Sequence, residues 1–159
     1  MKSIGKIKVI VVERSRMSFL RKAVELYFDR LSHYTNLEWI EVKSVRHTKG
    51  METDTILKKE ASLIRKRIGP RDYVIVLDRN GKSYSSEAFA SHLQELFGLG
   101  RPISFLVGGP LGLDRELLNI ANEKISLSPM TLTHEWSRAL LLEQLYRAFT
   151  IIRGENYHK

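Results

Sequence analysis

Apolar residues first gather in a β-branched run at Ile7–Val12, and after it their period changes. Leu20, Val24, Tyr27, Phe28 and Leu31 recur at helical spacing and fall on one stripe. Leu37–Val42 reads as a second strand, and residues 43–53 are polar, contain Gly50 and predict a mobile basic loop. Leu57, Ala61, Ile64 and Ile68 predict a helix that Gly69-Pro70 stops. Tyr73–Leu77 is almost continuously apolar, as a strand buried on both faces would be. Asp78-Arg79-Asn80-Gly81 reads as a turn, and Ser85 or Ser86 can cap a helix that turns Phe89, Leu93, Leu96 and Phe97 inward. Ile103–Val107 is the fourth strand. A short helix from about Asp114, a short strand near Lys124–Leu127 and a long helix from about His134 to Arg153 complete the pattern.

Strand and helix alternate throughout, which predicts an α/β fold, a parallel sheet with helices on both faces. No repeat or linker interrupts it, so residues 1–159 are expected to form a single domain. The last helix is apolar nearly all round its middle, through Trp136, Ala139, Leu140, Leu141, Leu142, Leu145, Tyr146, Phe149, Ile151 and Ile152. Such a helix is covered on more than one side, by a partner subunit or by other elements of the same chain.

Charge separates the two halves. Residues 1–70 hold 16 Lys and Arg against 8 Asp and Glu, whereas residues 71–159 hold 10 of each, so the first part carries the whole net charge of +8. A polyanion would be drawn there, to Lys43, Arg46 and Lys49 and then to Lys58, Lys59, Arg65, Lys66 and Arg67, unless these form a solvated face. The chain has no cysteine, which excludes thiolate chemistry and disulfides. No apolar run reaches the roughly 20 residues of a membrane span, and the N-terminus lacks a signal-peptide pattern. A cytoplasmic protein without membrane contact is expected.

Common catalytic signatures are missing. Gly108-Gly109-Pro110-Leu111-Gly112 lacks dinucleotide-fingerprint spacing, and no phosphate loop or nucleophile elbow occurs. The histidines at 33, 47, 92, 134 and 158 lack metal-ligand spacing, so no metal is expected. Their absence leaves chemistry that needs chiefly alignment, with one base for a proton, rather than a dedicated catalytic motif. In open α/β sheets ligands bind beyond the carboxyl ends of the strands. The loops after Leu77, Val107 and Leu127 are therefore the candidate pocket, with Gly108-Gly109 and Ser128–Thr133 offering backbone groups.

Leu77-Asp78-Arg79-Asn80-Gly81-Lys82, Ser85-Ser86-Glu87-Ala88-Phe89-Ala90 and Phe105-Leu106-Val107-Gly108-Gly109-Pro110-Leu111-Gly112-Leu113 together resemble the RlmH family. So do Leu127-Ser128-Pro129-Met130-Thr131-Leu132-Thr133-His134, Glu143-Gln144-Leu145-Tyr146-Arg147-Ala148 and the ending Arg153–Lys159. The resemblance spans the chain and is specific from residue 72 onward. Where the family commonly has a Gly-Lys pair after the first strand, this chain has Val12-Glu13-Arg14.

The resemblance implies the SPOUT fold with a C-terminal trefoil knot, which pattern alone would not suggest. It also implies a homodimer and S-adenosyl-L-methionine-dependent N3-methylation of a pseudouridine in helix 69 of large-subunit ribosomal RNA. Carried over by position, the cofactor contacts are Leu77, Gly109, Ser128, Pro129, Met130, Thr131, Leu132 and Thr133. A SPOUT methyltransferase of another RNA and a non-catalytic RNA-binding ribosome-assembly factor remain alternatives.

The N3 proton must leave, and a histidine suits that task. His134 opens the last helix beside the cofactor loop, or simply occupies its first turn. His158 lies with Tyr157 in a Tyr-His ending like the family's, or in a frayed terminus. Tyr157 is placed to stack on a base. Arg138 and Arg153 either hold phosphate or pair with Glu135 and Glu155; Lys58, Lys59, Lys66 and Arg67 are the remaining RNA-binding candidates.

Overall fold

The computed structural model describes residues 4–159. Its strands are β1 (Lys6–Val12), β2 (Asn36–Val42), β3 (Tyr73–Ser83), β4 (Ile103–Val107) and β5 (Glu123–Ser126). Its helices are α1 (Ser18–Ser32), α2 (Thr53–Arg65), α3 (Ser86–Gly98), α4 (Arg115–Ile120) and α5 (His134–Ile152). All strand pairs are parallel, in the order β2-β1-β4-β3-β5. Alternation along β1 divides the core: Ile7, Val9 and Val11 pack with α1, α3 and α5, while Ile10 and Val12 pack with α2 and α4. Helices on the first face carry the chain one way across the sheet and those on the second carry it back, so all crossovers share one hand.

The in-register ladders Val12↔Val42, Val11↔Val107 and Leu77↔Ile125 bring the carboxyl ends of the strands to one edge. At that edge β3 does not end in a turn, as the sequence suggests. It continues to Ser83, with residues 78–81 bulged out so that both Leu77 and Lys82 lie opposite Ile125. Gly81 permits this, since a Cβ there would stand 2.6 Å from the Lys124 carbonyl carbon. The stripe of α2 is also rotated from expectation. Ile56 and Glu60 are buried with Ala61 and Ile64, while Leu57 is only half-buried. Glu60 can go inside because it accepts a hydrogen bond from the Val45 N–H at 3.2 Å. Most of the apolar girth of α5 is covered within the chain, by the sheet below and by α1 and α3 beside it. Trp136 stays exposed, edge-on to the exposed Phe19 with ring centroids 5.9 Å apart.

At the opposite edge Asp72 is the polar anchor. Its carboxylate accepts from Lys8 Nζ at 2.8 Å, Ser104 Oγ at 2.6 Å and the Gly69 N–H at 2.8 Å. Burial would raise its pKa, but these partners outweigh burial and hold it below the ordinary carboxylate range. A depressed carboxyl stabilises the fold above the unfolded-state pKa, and that contribution is lost as pH falls through the folded one. Asp72→Ala should therefore cost about 3 kcal/mol at neutral pH by stranding Lys8 and Ser104, or about 10 °C in melting temperature. The difference should shrink in acid. A melt within about 2 °C of wild type at pH 7 would show the cluster to be dispensable.

Candidate active site

Three loops meet at the carboxyl edge around a cleft of about 330 Å³. From β3 come Leu77, Asp78 and Arg79; from β4 come Val107 and the 108–113 turn; from β5 come Leu127, Ser128 and residues 130–132. His134 and Ser137, on the first turn of α5, close the lining. Local chemistry fixes each loop. Arg79 donates to Thr131 Oγ1 at 3.0 Å and ties the β3 bulge to the third loop. Ser126 Oγ donates to the Ser128 carbonyl at 2.9 Å, and Ser128 Oγ accepts from the Met130 N–H at 3.0 Å. Thr133 caps α5 by accepting from the Trp136 N–H at 3.3 Å.

The glycine turn after β4 closes on itself, with the Gly112 N–H donating to the Gly109 carbonyl at 3.0 Å. A Cβ on Gly108 would lie 2.6 Å from both the carbonyl carbon and oxygen of Gly112. Gly109 is different. It lines the cleft by its backbone, but its missing Cβ faces Val12 of β1 at 3.3 Å. Close backbone approach is thus enforced at 108, one residue before the position the sequence singles out.

Of the expected cofactor contacts, Leu77, Gly109, Ser128, Met130, Thr131 and Leu132 line the cleft. Pro129 and Thr133 do not; Thr133 is spent on the helix cap. His134 is half-buried, and burial followed by the nearby Arg138 charge pushes its pKa below the ordinary imidazole value. A neutral ring, ready to accept a proton, is its resting form near pH 7.

Arg138 corrects the sequence reading. It is fully buried and neither meets solvent nor pairs with Glu135. Its guanidinium donates to the carbonyls of Val12 and Glu13 and to Ser15 Oγ, the contact with Glu13 being 2.9 Å. Those carbonyls turn inward because Glu13 adopts a left-handed backbone, φ 65°. Glu135 secures the same segment, its Oε1 accepting from the N–H groups of Arg16 at 2.6 Å and Met17 at 3.1 Å. The first two turns of α5 therefore hold both the cleft and the turn after β1.

Arg153 sits at the far end of α5, about 28 Å along the axis from the cleft, with its guanidinium over the Tyr34 ring. Glu155 accepts from Tyr34 Oη at 2.6 Å. The tail is not frayed. Tyr157 packs edge-on against Tyr146 at 4.8 Å beneath the Arg147 guanidinium, also at 4.8 Å, and His158 Nε2 meets Glu87 Oε1 at 2.8 Å. Neither Tyr157 nor His158 lines the cleft of its own chain. Arg147, bound to Glu143 at 2.6 Å, is the tail's platform; the sequence held it in a motif but gave it no role.

Lys58, Lys59, Lys66 and Arg67 are exposed. Lys58 pairs with Asp54 at 3.3 Å, and the Arg67 carbonyl lies 3.4 Å from Lys8 Nζ near the start of β1. Lys66 and Arg67 thus stand at the edge of the sheet away from the cleft. Among the described residues no group of three or more His, Asp or Glu could hold a metal ion, and no helix is long and apolar enough to cross a membrane.

Comparison with known proteins gives a consistent picture. Residues 5–158 match the family model described as "Predicted SPOUT methyltransferase". The chain is 43% identical over 149 residues to the ribosomal RNA large subunit methyltransferase H of Thermotoga neapolitana, covering 94% of this chain and 97% of that one. It is 37% identical over 153 residues to the protein of that name from Christiangramia forsetii, covering 96% and 98%. Among solved structures, a probable methyltransferase from Bordetella pertussis Tohama I superposes with a TM-score of 0.58 at 12% identity, covering 92% of this chain and 97% of that chain.

Proposed function

The chain belongs to the SPOUT methyltransferase family, and from that premise we propose that it methylates N3 of a pseudouridine in helix 69 of large-subunit ribosomal RNA. The observation that carries this reading is the convergence of three backbone-rich loops in one cleft beside a neutral histidine. A methyltransferase needs a methyl donor, and S-adenosyl-L-methionine fits the residues present. Leu77, Leu113, Leu127 and Leu132 offer apolar walls for an adenine, and the 108–112 and 128–132 segments offer backbone groups to read its edge. Asp78 and Arg79 bring one charge of each sign, matching the ammonium and carboxylate of the donor's amino-acid end. When bound, the donor supplies a methyl group on a sulfonium, and its transfer to N3 releases the N3 proton. His134 stands at the cleft to take that proton.

A homodimer belongs to the same reading. It is supported by the exposed Phe19–Trp136 pair beside the start of α5, and by a tail that lies away from its own cleft. In a two-fold dimer Tyr157 and His158 of one chain would complete the cleft of the other. A single domain over residues 1–159, a C-terminal trefoil knot and a cytoplasmic location complete the proposal.

The test is methyl transfer from labelled S-adenosyl-L-methionine to ribosomes of a strain lacking this gene, with the product mapped by mass spectrometry. One methyl group on N3 of a helix 69 pseudouridine is expected, with the rate falling only at a pH below the ordinary imidazole range. Transfer elsewhere would point to another RNA. Binding of ribosomal RNA without transfer would leave a non-catalytic assembly factor.

A further inference from the structure

A second cleft, about 860 Å³, opens beside the first at the carboxyl ends of β1 and β2. The two share Leu111, the tip of the glycine turn. Arg14 and Arg16 reach the second cleft from the turn after β1, and Lys43, Arg46 and His47 from the loop after β2. Both segments are held from inside by buried groups. Arg138 and Glu135 bind the backbone of residues 12–17, and Glu60 binds the Val45 N–H. What they leave outward is cationic. Arg14, Lys43 and Arg46 are exposed, and among the described residues none has a carboxylate within ion-pairing distance. The carboxylates of the cleft are engaged: Glu13 binds Arg16 at 3.1 Å, Glu41 accepts from Trp39 Nε1 at 3.2 Å, and Glu60 is buried.

Unpaired cations on two braced loops, next to a cleft for the methyl donor, form a receptor for a chain of phosphates. We propose that the cleft between residues 13–16 and 43–47 takes the phosphates that flank the target nucleotide, with Arg14, Lys43 and Arg46 as the phosphate contacts. The inference rests on the RNA methyltransferase reading and, among the basic residues of the first part, puts the RNA track on Lys43 and Arg46 together with Arg14 rather than on Lys58, Lys59, Lys66 and Arg67. Contact at Leu111 makes one RNA strand serve both sites: a base displaced toward the donor leaves its neighbouring phosphates over the cations.

The experiment measures binding of the full chain to unmethylated large-subunit ribosomal RNA as a function of salt. Arg14→Ala, Lys43→Ala and Arg46→Ala are combined in one variant; Lys58→Ala, Lys59→Ala and Lys66→Ala form a second that removes equal charge. Losing three phosphate contacts should flatten the slope of log affinity against log salt by about 2, at roughly 0.7 per contact on a single strand. Affinity should fall at least about tenfold, and clearly more than in the α2 variant. Arg14→Lys with Arg46→Lys should restore most of the slope, since it keeps the charge. Calorimetry with S-adenosyl-L-methionine checks that the variant remains folded and able to bind the donor. An unchanged slope in the first variant, or equal flattening in both, would overturn the track. Failure of the wild type to methylate ribosomal RNA would sink the enzyme reading instead, while the slope comparison still decides where RNA binds.

Discussion

Gly108→Ala is expected to weaken S-adenosyl-L-methionine binding about 100-fold, the loss of two backbone hydrogen bonds at roughly 1.4 kcal/mol each. An added Cβ would lie 2.6 Å from the carbonyl carbon and oxygen of Gly112 and 2.9 Å from its Cα. Those are backbone atoms, so no side chain can swing away and the 108–112 turn must open. Its closure by the Gly112 N–H and the Gly109 carbonyl would then lengthen, and Leu111, Gly112 and Leu113 would leave the positions that shape the cleft. Hydrogen bonds from such a turn to a ligand weaken steeply with misalignment. Gly109→Ala is the matched comparison. Its Cβ would meet only the Val12 side chain, at 3.3 Å and 3.4 Å, and a shift of a few tenths of an ångström relieves that. Affinity should then change only a few-fold, the scale of a small packing adjustment of under about 1.5 kcal/mol. Calorimetric titration beside a thermal melt reads both variants. Wild-type affinity in a folded Gly108→Ala protein would remove the glycine turn from the donor site.

The contrast between these glycines shows how far sequence reaches. Strand ends at Leu77, Val107 and Leu127 can be located from apolar runs, and the rule that ligands gather beyond strand ends then selects the three loops. Which glycine bears the close approach depends on how the turn folds back, and Gly109 and Gly112 meet only in three dimensions. Arg138 failed for a related reason. On a helix beside Glu135 it reads as a surface cation, yet a left-handed Glu13 aims carbonyls at it across more than a hundred positions of sequence. The bulge at residues 78–81 looked like a turn because the composition is the same; only pairing with β5 on both sides makes it part of a strand. Glu60 went inward against its charge because a loop N–H needed an acceptor. Long-range polar contacts, rather than apolar periodicity, decided each of these cases. Charge alone suggests a polyanion; the family resemblance, not the pattern, is what suggests a knot and which RNA is the substrate.

Deleting residues 156–159 should abolish methyl transfer while leaving donor affinity almost unchanged. The segment is not free of structural cost. Tyr157 packs edge-on against Tyr146 and lies under Arg147, and its hydroxyl reaches Tyr27 at 3.4 Å and Glu143 at 3.3 Å. An aromatic pair with a cation over it contributes about 1–2 kcal/mol, so the melting temperature should fall by about 5 °C and the fold should survive. The catalytic loss should be far larger, about 10³ in kcat, if Tyr157 or His158 positions the base or moves its proton. His158→Ala separates the two residues, because it keeps the Tyr157 packing and removes only the imidazole that meets Glu87. The tail lies away from its own cleft, so in the proposed homodimer its action would come across the two-fold axis. A purified mixed dimer of one tail-deleted chain and one Gly108→Ala chain measures this directly. Exchange of tails leaves that dimer one site with both an intact turn and a tail, and one site with neither, so about half of the wild-type activity is expected. Action within one chain leaves no complete site and no activity. Full activity in the simple deletion would end any catalytic role for Tyr157 and His158, and would leave His134 as the histidine at the cleft to account for the proton.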